Sequence, residues 1–527
     1  MRSVGARTAK ARRSAGRPAD GATADDVHVE MEDALPGAGT AVHDEPEVGA
    51  SVGARDLDRD AREVSDQRIV LGCQIGKRGD VFAGDDEYVR RTRRIDVAER
   101  DGAIVLVHAI RPCLAGRDST EEAVGHGAAV TGLAGGRKTS RRAQRPGIAV
   151  DFALTPEQTL LQRTARDVLA ANMPMSRVRA LMDDPRGVAD ADWRRLADLG
   201  WTGLLVTEEY GGAGLGMLEL AIVVAEMGRV AMPGPFLGTI VAGRALMHAG
   251  NDAQRRRWLP GLADGSVRAT VALVESSARW DFDGVTAVAR PDGDGWVLAG
   301  TKLFVPDAHA VDLIVCAVRR ADDGEPALVV VDAADAAITP QPSVDRTRCI
   351  CRVALDGVRI AADRMLAGDA AASLDAVLTE ARVALAADMT GGAERVLEMT
   401  VEHVKTRRQF GRAIGTFQAV QHACADMMVA VECAKAATTY AAWAVAERAD
   451  DATVAAATAK ATAGDAYRQV TAKAIQLHGG IGFTWEHDLH VYYKRAMSTE
   501  ATFGDATWSR EIVAEGIGLQ RLGSKPR

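Results

Sequence analysis

A block of short β-rich segments between Ala269 and Ile360 lies between two stretches of helical periodicity, and this order restricts the fold more than any other feature of the chain. Upstream, Leu160, Leu161, Val168 and Leu169 recur at helix spacing, and apolar stripes follow over Leu218–Met232 and Phe236–Ala249. Order is expected to begin at Asp151-Phe152-Ala153-Leu154-Thr155-Pro156, where Thr155 suits an N-cap, Pro156 the first helical position and Gln158 the far side of a capping box. Pro233, Pro235 and Pro260 punctuate this region. The middle block reads as strands at Ala269–Glu275, Val285–Arg290, Trp296–Ala299, Leu313–Val318, Leu328–Val331, Cys351–Leu355 and Val358–Ile360, with turn clusters such as Pro291-Asp292-Gly293-Asp294-Gly295 between them. Beyond Gly368, Ser373–Thr406, Phe417–Arg448 and Thr453–His478 read as long Ala-rich helices and Thr507–Glu515 as a shorter one. Small residues on several faces let such helices approach closely, as in a four-helix bundle. An all-helical scaffold would not need the middle block. The expected class is therefore α+β, with domains at 150–265 (helical), 266–367 (a small β-domain) and 368–527 (four-helix bundle).

Residues 1–149 are read differently. Aromatic side chains supply much of a core's buried area, yet only Phe82 and Tyr88 fall in the first 150 residues, and all 8 Trp lie between Trp193 and Trp508. The segment is expected to be a disordered extension, or an over-extended gene start with initiation near Val150. Its first residues carry Arg2, Arg7, Lys10, Arg12, Arg13 and Arg17 without an acid, as an organellar transit peptide would. No apolar stretch follows them to make a secretory signal. The basic run Arg137, Lys138, Arg141, Arg142 and Arg145 reads as a solvated linker.

A net charge of −8 removes the electrostatic reason to expect nucleic acid as a partner. No run reaches the roughly 18 apolar residues that span a bilayer, so no membrane partner is expected. The 7 cysteines, Cys73, Cys113, Cys316, Cys349, Cys351, Cys424 and Cys433, form an odd and scattered set that suits reduced thiols in the cytoplasm. Cys349 and Cys351 would share one strand face, but no second cysteine pair completes a metal centre, and none is expected. Glu486-His487-Asp488-Leu489-His490 lacks the spacing of a zinc-binding helix and reads as a helix start.

Three segments carry chemistry. Arg407-Arg408-Gln409-Phe410-Gly411, followed by Phe417-Gln418, ends one long helix and opens the next. An Arg at such a turn offers a fork for phosphate, and Gln418 can bind a polar ring or ribose. Gln476-Leu477-His478-Gly479-Gly480-Ile481-Gly482-Phe483 closes a helix with glycines that let backbone approach a ligand. Glu208-Glu209-Tyr210-Gly211-Gly212-Ala213-Gly214-Leu215 is a tight Gly loop whose spacing is not that of a dinucleotide fingerprint.

In this order, on an α–β–α plan, the segments resemble the acyl-CoA dehydrogenase family over about Val150 to Gly518. The resemblance makes the β-domain at 266–367 barrel-like, and implies an FAD at a subunit interface, in a homo- or hetero-tetramer, and a substrate that is an acyl-CoA thioester. The family's diphosphate-binding Arg falls on Arg407, with Phe410 beside it. Its glutamine falls on Gln418, and its Q-x-x-G-G segment on Gln476, Leu477, His478, Gly479 and Gly480, the two groups reaching one FAD from different subunits. The implied reaction is α,β-dehydrogenation: a carboxylate removes the α-proton, hydrogen bonds stabilise the enolate oxygen, and the β-hydride passes to flavin. An electron-transfer flavoprotein or similar acceptor would reoxidise it.

The sequence departs from the family where the chemistry is done. The usual base is the Glu of a Y-E-G-T segment; here Thr502-Phe503-Gly504-Asp505 stands in its place, with Phe503 at the Glu position. The alternative base slot, one residue before an Arg on the first bundle helix, holds Ala381 before Arg382. Glu380, Glu500 and Asp505 are the nearest carboxylates, although one step along a helix turns a side chain by about 100°. The flavin loop T-E-P-x-A-G-S-D reads Val274-Glu275-Ser276-Ser277-Ala278-Arg279-Trp280-Asp281, and the family's W-x-T/S-N/G-x stretch reads Phe304-Val305-Pro306-Asp307-Ala308. Such losses resemble the heteromeric branch that degrades steroids and cholesterol side chains in actinobacteria. Two readings follow: an active dehydrogenase with a displaced base, or an incomplete subunit that completes a partner's FAD site. An oxidase or monooxygenase on the same fold is a third.

Overall fold

The computed structural model describes Phe152–Leu519; the extension expected at 1–149, the basic run within it, Cys73 and Cys113 lie outside the described residues. The first helices are α1 (Pro156–Asn172), α2 (Met175–Asp183), α3 (Asp190–Asp198), α4 (Met217–Arg229), α5 (Phe236–Ala249) and α6 (Asp252–Ala263). The capping box at α1 forms as the sequence indicates: Gln158 N–H donates to Thr155 Oγ1 at 3.2 Å, and Thr155 N–H to Gln158 Oε1 at 3.1 Å. Arg166 fixes α1 on α4 through two hydrogen bonds to the buried Glu226, at 3.0 and 2.8 Å.

Nine strands follow: β1 (Ala269–Ala272), β2 (Val288–Asp292), β3 (Gly295–Ala299), β4 (Thr301–Pro306), β5 (Leu313–Arg320), β6 (Pro326–Asp332), β7 (Ala337–Gln341), β8 (Ile350–Ala354) and β9 (Arg359–Ala361). They form a six-stranded sheet, β1-β5-β2-β3-β9 with β6 on β5, and a three-stranded sheet, β4-β8-β7. Leu298, Val305, Cys316, Val329, Cys351 and Val353 draw both sheets onto one apolar core. Two of these strands carry no sequence signal. In β4, Lys302 interrupts the apolar pattern, because it is fully buried against the Glu275 carboxylate at 2.7 Å. In β7, four of the five residues are either charge-free and exposed or prolyl, so no face alternates.

The last block holds α7 (Ala370–Thr406), the two-stranded turn β10 (Arg408–Gln409) and β11 (Arg412–Ala413), α8 (Gln418–Ala446), α9 (Ala452–His478), α10 (Leu489–Ala501) and α11 (Ala506–Gly516). Helices α7, α8 and α9 pack side by side, with α10 and α11 against α9. Small residues bring α4 and α7 into backbone contact: a Cβ on Gly228 would lie 2.0 Å from the Asp388 carbonyl oxygen, and one on Gly391 1.8 Å from that of Ala225. The three regions meet at Arg495. Its guanidinium donates to Asp388 Oδ1 at 2.6 Å, to the Met232 carbonyl at 3.1 Å and to Thr347 Oγ1 at 2.8 Å. Arg348 adds a second cation 3.2 Å from Asp388. The two arginines hold the buried Asp388 carboxyl below its ordinary pKa, against the opposing effect of desolvation.

Candidate active site

Helix α7 ends at Thr406 with Arg407 as its C-cap, and the β10–β11 turn follows from Arg408. The Arg407 side chain is exposed and, among the described residues, forms no ion pair. Phe410 sits at φ 53° with 90 % of its surface exposed, its ring edge-on to Phe417 at 6.0 Å, and Arg412 lies over the Phe417 ring. Gln418, the first residue of α8, is exposed beside them. The end of α9 lies against the end of α7, because His478 stacks on His403 with 4.1 Å between ring centroids. His487 meets the other side of His478 at 4.7 Å. His478 Nδ1 lies 2.8 Å from the Ala474 carbonyl, a hydrogen bond that requires the proton on Nδ1. Burial and the neighbouring His403 and His487 pull its pKa down to about 4, so it is a neutral structural histidine. Gln476, Gly479 and Gly480 are exposed next to it, Leu477 is half-buried, and a Cβ on either glycine would meet nothing within 4 Å. The sequence-derived cofactor residues thus come to one end of the bundle as an open, donor-bearing surface, where Arg407 forms no ion pair among the described residues.

The β-domain supplies a second element. Register slips between β4 and β8 from Lys302 to Val305, and this bulge puts Phe304 at φ 53° with 55 % of its surface exposed. An uncovered aromatic at the family's Trp position suits the wall of a flat ring. Glu275, which matches the family loop, faces inward. It accepts from Thr286 N–H at 2.9 Å, Ala287 N–H at 3.0 Å, Lys302 Nζ and the Thr286 hydroxyl. These partners outweigh burial and keep its carboxyl ionised, so Glu275 builds the loop and is not free for catalysis. The exposed Arg407 and Gln418, the open Gln476–Gly480 backbone and the uncovered Phe304 ring are donor and ring chemistry compatible with FAD.

The two positions that the resemblance makes base slots hold buried side chains without a carboxylate, Ala381 and Phe503. Ala381 is buried on α7, followed by Arg382, whose Nε is buried without a hydrogen-bond partner among the described residues. Desolvation pulls the Arg382 pKa down to about 10. Phe503, at φ 56°, is buried edge-to-face against Trp280. The three carboxylates nearest these positions in sequence, Glu380, Glu500 and Asp505, are engaged elsewhere. Glu380 receives Arg244 Nε at 2.7 Å and Nη2 at 2.8 Å, with His248 Nε2 3.0 Å away, and these partners lower its pKa against desolvation. Glu500 accepts from Ala506 N–H at 2.8 Å. Asp505 is the N-cap of α11, accepting from Trp508 N–H at 2.7 Å. Sequence reasoning did not single out Asp375, an exposed residue on α7 seven positions before Arg382; desolvation and the Asp281 charge raise its pKa while Arg382 opposes them. Seven residues is close to two helical turns, the one periodic signal that links the two side chains.

Comparison with known proteins agrees with this geometry. The acyl-CoA dehydrogenase N-terminal domain matches residues 155–266 and the C-terminal domain residues 369–518. The chain is 34 % identical over 348 residues to acyl-CoA dehydrogenase IpdE2 of Mycobacterium tuberculosis, covering 65 % of this chain and 92 % of that protein. Among solved structures it is similar to a variant of the Tcur3481-Tcur3483 steroid ACAD, with a TM-score of 0.63 and 35 % identity over 68 % of this chain and 97 % of that one. It is also similar to the ChsE4-ChsE5 complex from Mycobacterium tuberculosis, with a TM-score of 0.65 and 28 % identity over 71 % of this chain and 100 % of that one. Among the described residues, no helix is long and apolar enough to cross a membrane. The chain belongs to the acyl-CoA dehydrogenase family, and is an FAD-dependent oxidoreductase of that family.

Proposed function

We propose that this chain serves α,β-dehydrogenation of an acyl-CoA as one subunit of a hetero-oligomer, holding FAD while a different chain contributes the carboxylate that takes the α-proton. The observation that carries this reading is the closure of both base slots, one by Ala381 and the other by the Trp280–Phe503 pair. The α-proton of a thioester is weakly acidic and needs a positioned base. Glu380, Glu500 and Asp505 are each bound by donors that favour their present roles. FAD, when bound, supplies the acceptor for the β-hydride. The residues proposed to hold it are Arg407 at the diphosphate, Phe410 beside it, Gln418, Phe304 along the ring, and the segment Gln476, Leu477, His478, Gly479 and Gly480. In that segment the backbone binds, and neutral His478 fixes the helix end.

The solved relatives named as pairs, Tcur3481-Tcur3483 and ChsE4-ChsE5, support a two-chain assembly, and the former, named a steroid ACAD, supports a steroid-derived acyl group as substrate. An electron-transfer flavoprotein or similar acceptor would take the electrons, and the cytoplasm is the proposed compartment. The test is to purify the chain alone and co-expressed with the products of neighbouring genes, reading flavin absorbance and acyl-CoA turnover. Activity that appears only in the pair supports the reading. Turnover by the lone chain, abolished by Glu380→Gln or Asp505→Asn, places the base in this chain instead.

A further inference from the structure

We propose that His309, Cys349 and Cys351 form a three-ligand site for one thiophilic divalent cation, Zn2+ first among them, where the end of β4 meets β8. The placement begins with strand geometry. Residues two apart on a strand point to the same face, so Cys349, which precedes β8, and Cys351 within it share a side. Cys351 is held in the ladder between Val305 of β4 and Pro340 of β7. At the end of β4, Asp307 adopts φ 50° and starts a short 3-10 turn, Ala308–Ala310, which carries His309. Two hydrogen bonds join that turn to the cysteine strand. Asp307 N–H donates to the Cys349 carbonyl at 2.7 Å, and Cys349 N–H donates to Asp307 Oδ1 at 3.2 Å. The three side chains therefore come from backbone fixed by ladder and turn.

Their spacing is that of a coordination shell. With Zn–S about 2.3 Å and Zn–N about 2.0–2.1 Å, a tetrahedral site sets sulfur–sulfur edges near 3.8 Å and sulfur–nitrogen edges near 3.6 Å. Here Cys349 Sγ lies 3.9 Å from Cys351 Sγ, and Cys351 Sγ lies 3.6 Å from His309 Nδ1. The remaining edge is also within 4.8 Å. Two thiolates and an imidazole are the donor set that selects Zn2+ over the oxygen-loving Mg2+ and Ca2+. Cys351 is buried, whereas Cys349 and His309 are half-exposed, which leaves one side open for a water as fourth ligand. His309 lies with Nδ1 3.6 Å from Cys351 Sγ, and the Arg186 backbone also approaches its ring.

A disulfide is the competing fate of the same thiols. Extended backbone separates Cα atoms two residues apart by about 6.4–6.8 Å, the upper end of the span a disulfide bridges. A metal closes the gap without bending the strand. Binding would displace the two thiol protons to solvent and pin the turn after β4, the strand that carries Phe304. The inference is independent of where the catalytic base lies. It departs from the expectation of no metal centre because His309 stands forty residues before the cysteine pair, with no spacing motif to connect them.

The experiment uses the full chain, purified without a metal-affinity step and kept reduced. Metal analysis of that protein is expected to give about one Zn2+ per chain, the stoichiometry of a single three-ligand site. After stripping with a chelator, added Co2+ is expected to give thiolate-to-cobalt charge-transfer absorption together with visible bands of tetrahedral intensity. Cys349→Ser and His309→Ala, each checked by far-UV circular dichroism, should lose that spectrum. Cys316→Ser, which removes a buried thiol elsewhere in the same domain, should keep it. Reduced wild-type protein that takes up neither metal, or uptake unchanged in both ligand variants, overturns the proposal. So does a Cys349–Cys351 disulfide recovered by peptide mapping as the resting state of metal-free protein.

Discussion

The rings of Trp280 and Phe503 meet edge to face, with 5.3 Å between centroids and 73° between planes. One comes from the flavin loop of the β-domain and the other from the turn between α10 and α11, and each occupies a position where the family carries a smaller or acidic residue. Two departures that look unrelated in sequence are one packing unit in space. The first prediction concerns that unit. Truncating Phe503 to Ala should cost about 3–5 kcal/mol as a buried aromatic deletion. A double-mutant cycle with Trp280→Ala should recover a coupling of about 0.5–1.5 kcal/mol, the usual value for an aromatic pair. Thermal and denaturant unfolding measure both.

Asp388 and Arg495 tie all three regions together, so their loss should not remain local. Asp388→Asn leaves two buried guanidinium groups short of a counter-charge, and should cost about 3–5 kcal/mol. Because the folded pKa of Asp388 is depressed, its contribution is present above the unfolded carboxylate pKa and is lost as pH falls through the folded value. Acid unfolding of the variant should therefore be less steep than that of the wild type.

His478 has the opposite consequence for its type. Its folded pKa, about 4, lies below the unfolded value, so between those two values the unfolded chain binds more protons. Stability should fall as pH drops from about 6.5 towards 4, and His478→Asn should flatten that slope. Denaturant midpoints across this range are the measurement.

Arg407 and Gly480 separate cofactor binding from folding. The Arg407 side chain is exposed, and a Cβ on Gly480 would meet no atom of this chain. Arg407→Ala and Gly480→Ala should each leave stability within about 0.5 kcal/mol of wild type, yet reduce the FAD retained through gel filtration. Arg407→Lys should not rescue, because an ammonium lacks the bidentate fork. Gly479→Ala differs: at φ 66° it should cost about 1–2 kcal/mol in the fold itself.

The helical frame was legible because periodicity and caps are local. Thr155, Pro156 and Gln158 announce α1 from four residues, and the long helices begin and end within about three residues of their sequence-derived limits. Helix α7 begins three residues before its sequence-derived start at Ser373, because Ala370–Ala372 show no apolar spacing; Asp369, the N-cap, accepts from Ala372 N–H at 3.0 Å. Strands β4 and β7 were missed, one because Lys302 is buried by a partner 27 positions away, the other because an edge strand need not alternate. At the site, the segments proposed to hold flavin are legible as motifs that resemble the family's, Arg407-Arg408-Gln409-Phe410-Gly411 with Gln418, and Gln476-Leu477-His478-Gly479-Gly480. That Glu380 is engaged is not legible, since Arg244 reaches it through the fold from 136 positions away, whereas the capping role of Asp505 is local, with Trp508 N–H three residues on.

Proton transfer tests, without waiting for electrons to leave, the proposal that none of the described carboxylates of this chain serves as the base. Incubating an acyl-CoA with the FAD-loaded chain in deuterium oxide, and following deuterium at the α-carbon by mass spectrometry, reads the base directly. No exchange above the solvent rate by the chain alone, and exchange on adding its partner subunit, is the predicted result. α-Exchange by the chain alone, lost in Glu380→Gln, Glu500→Gln, Asp505→Asn or Asp375→Asn, would contradict it.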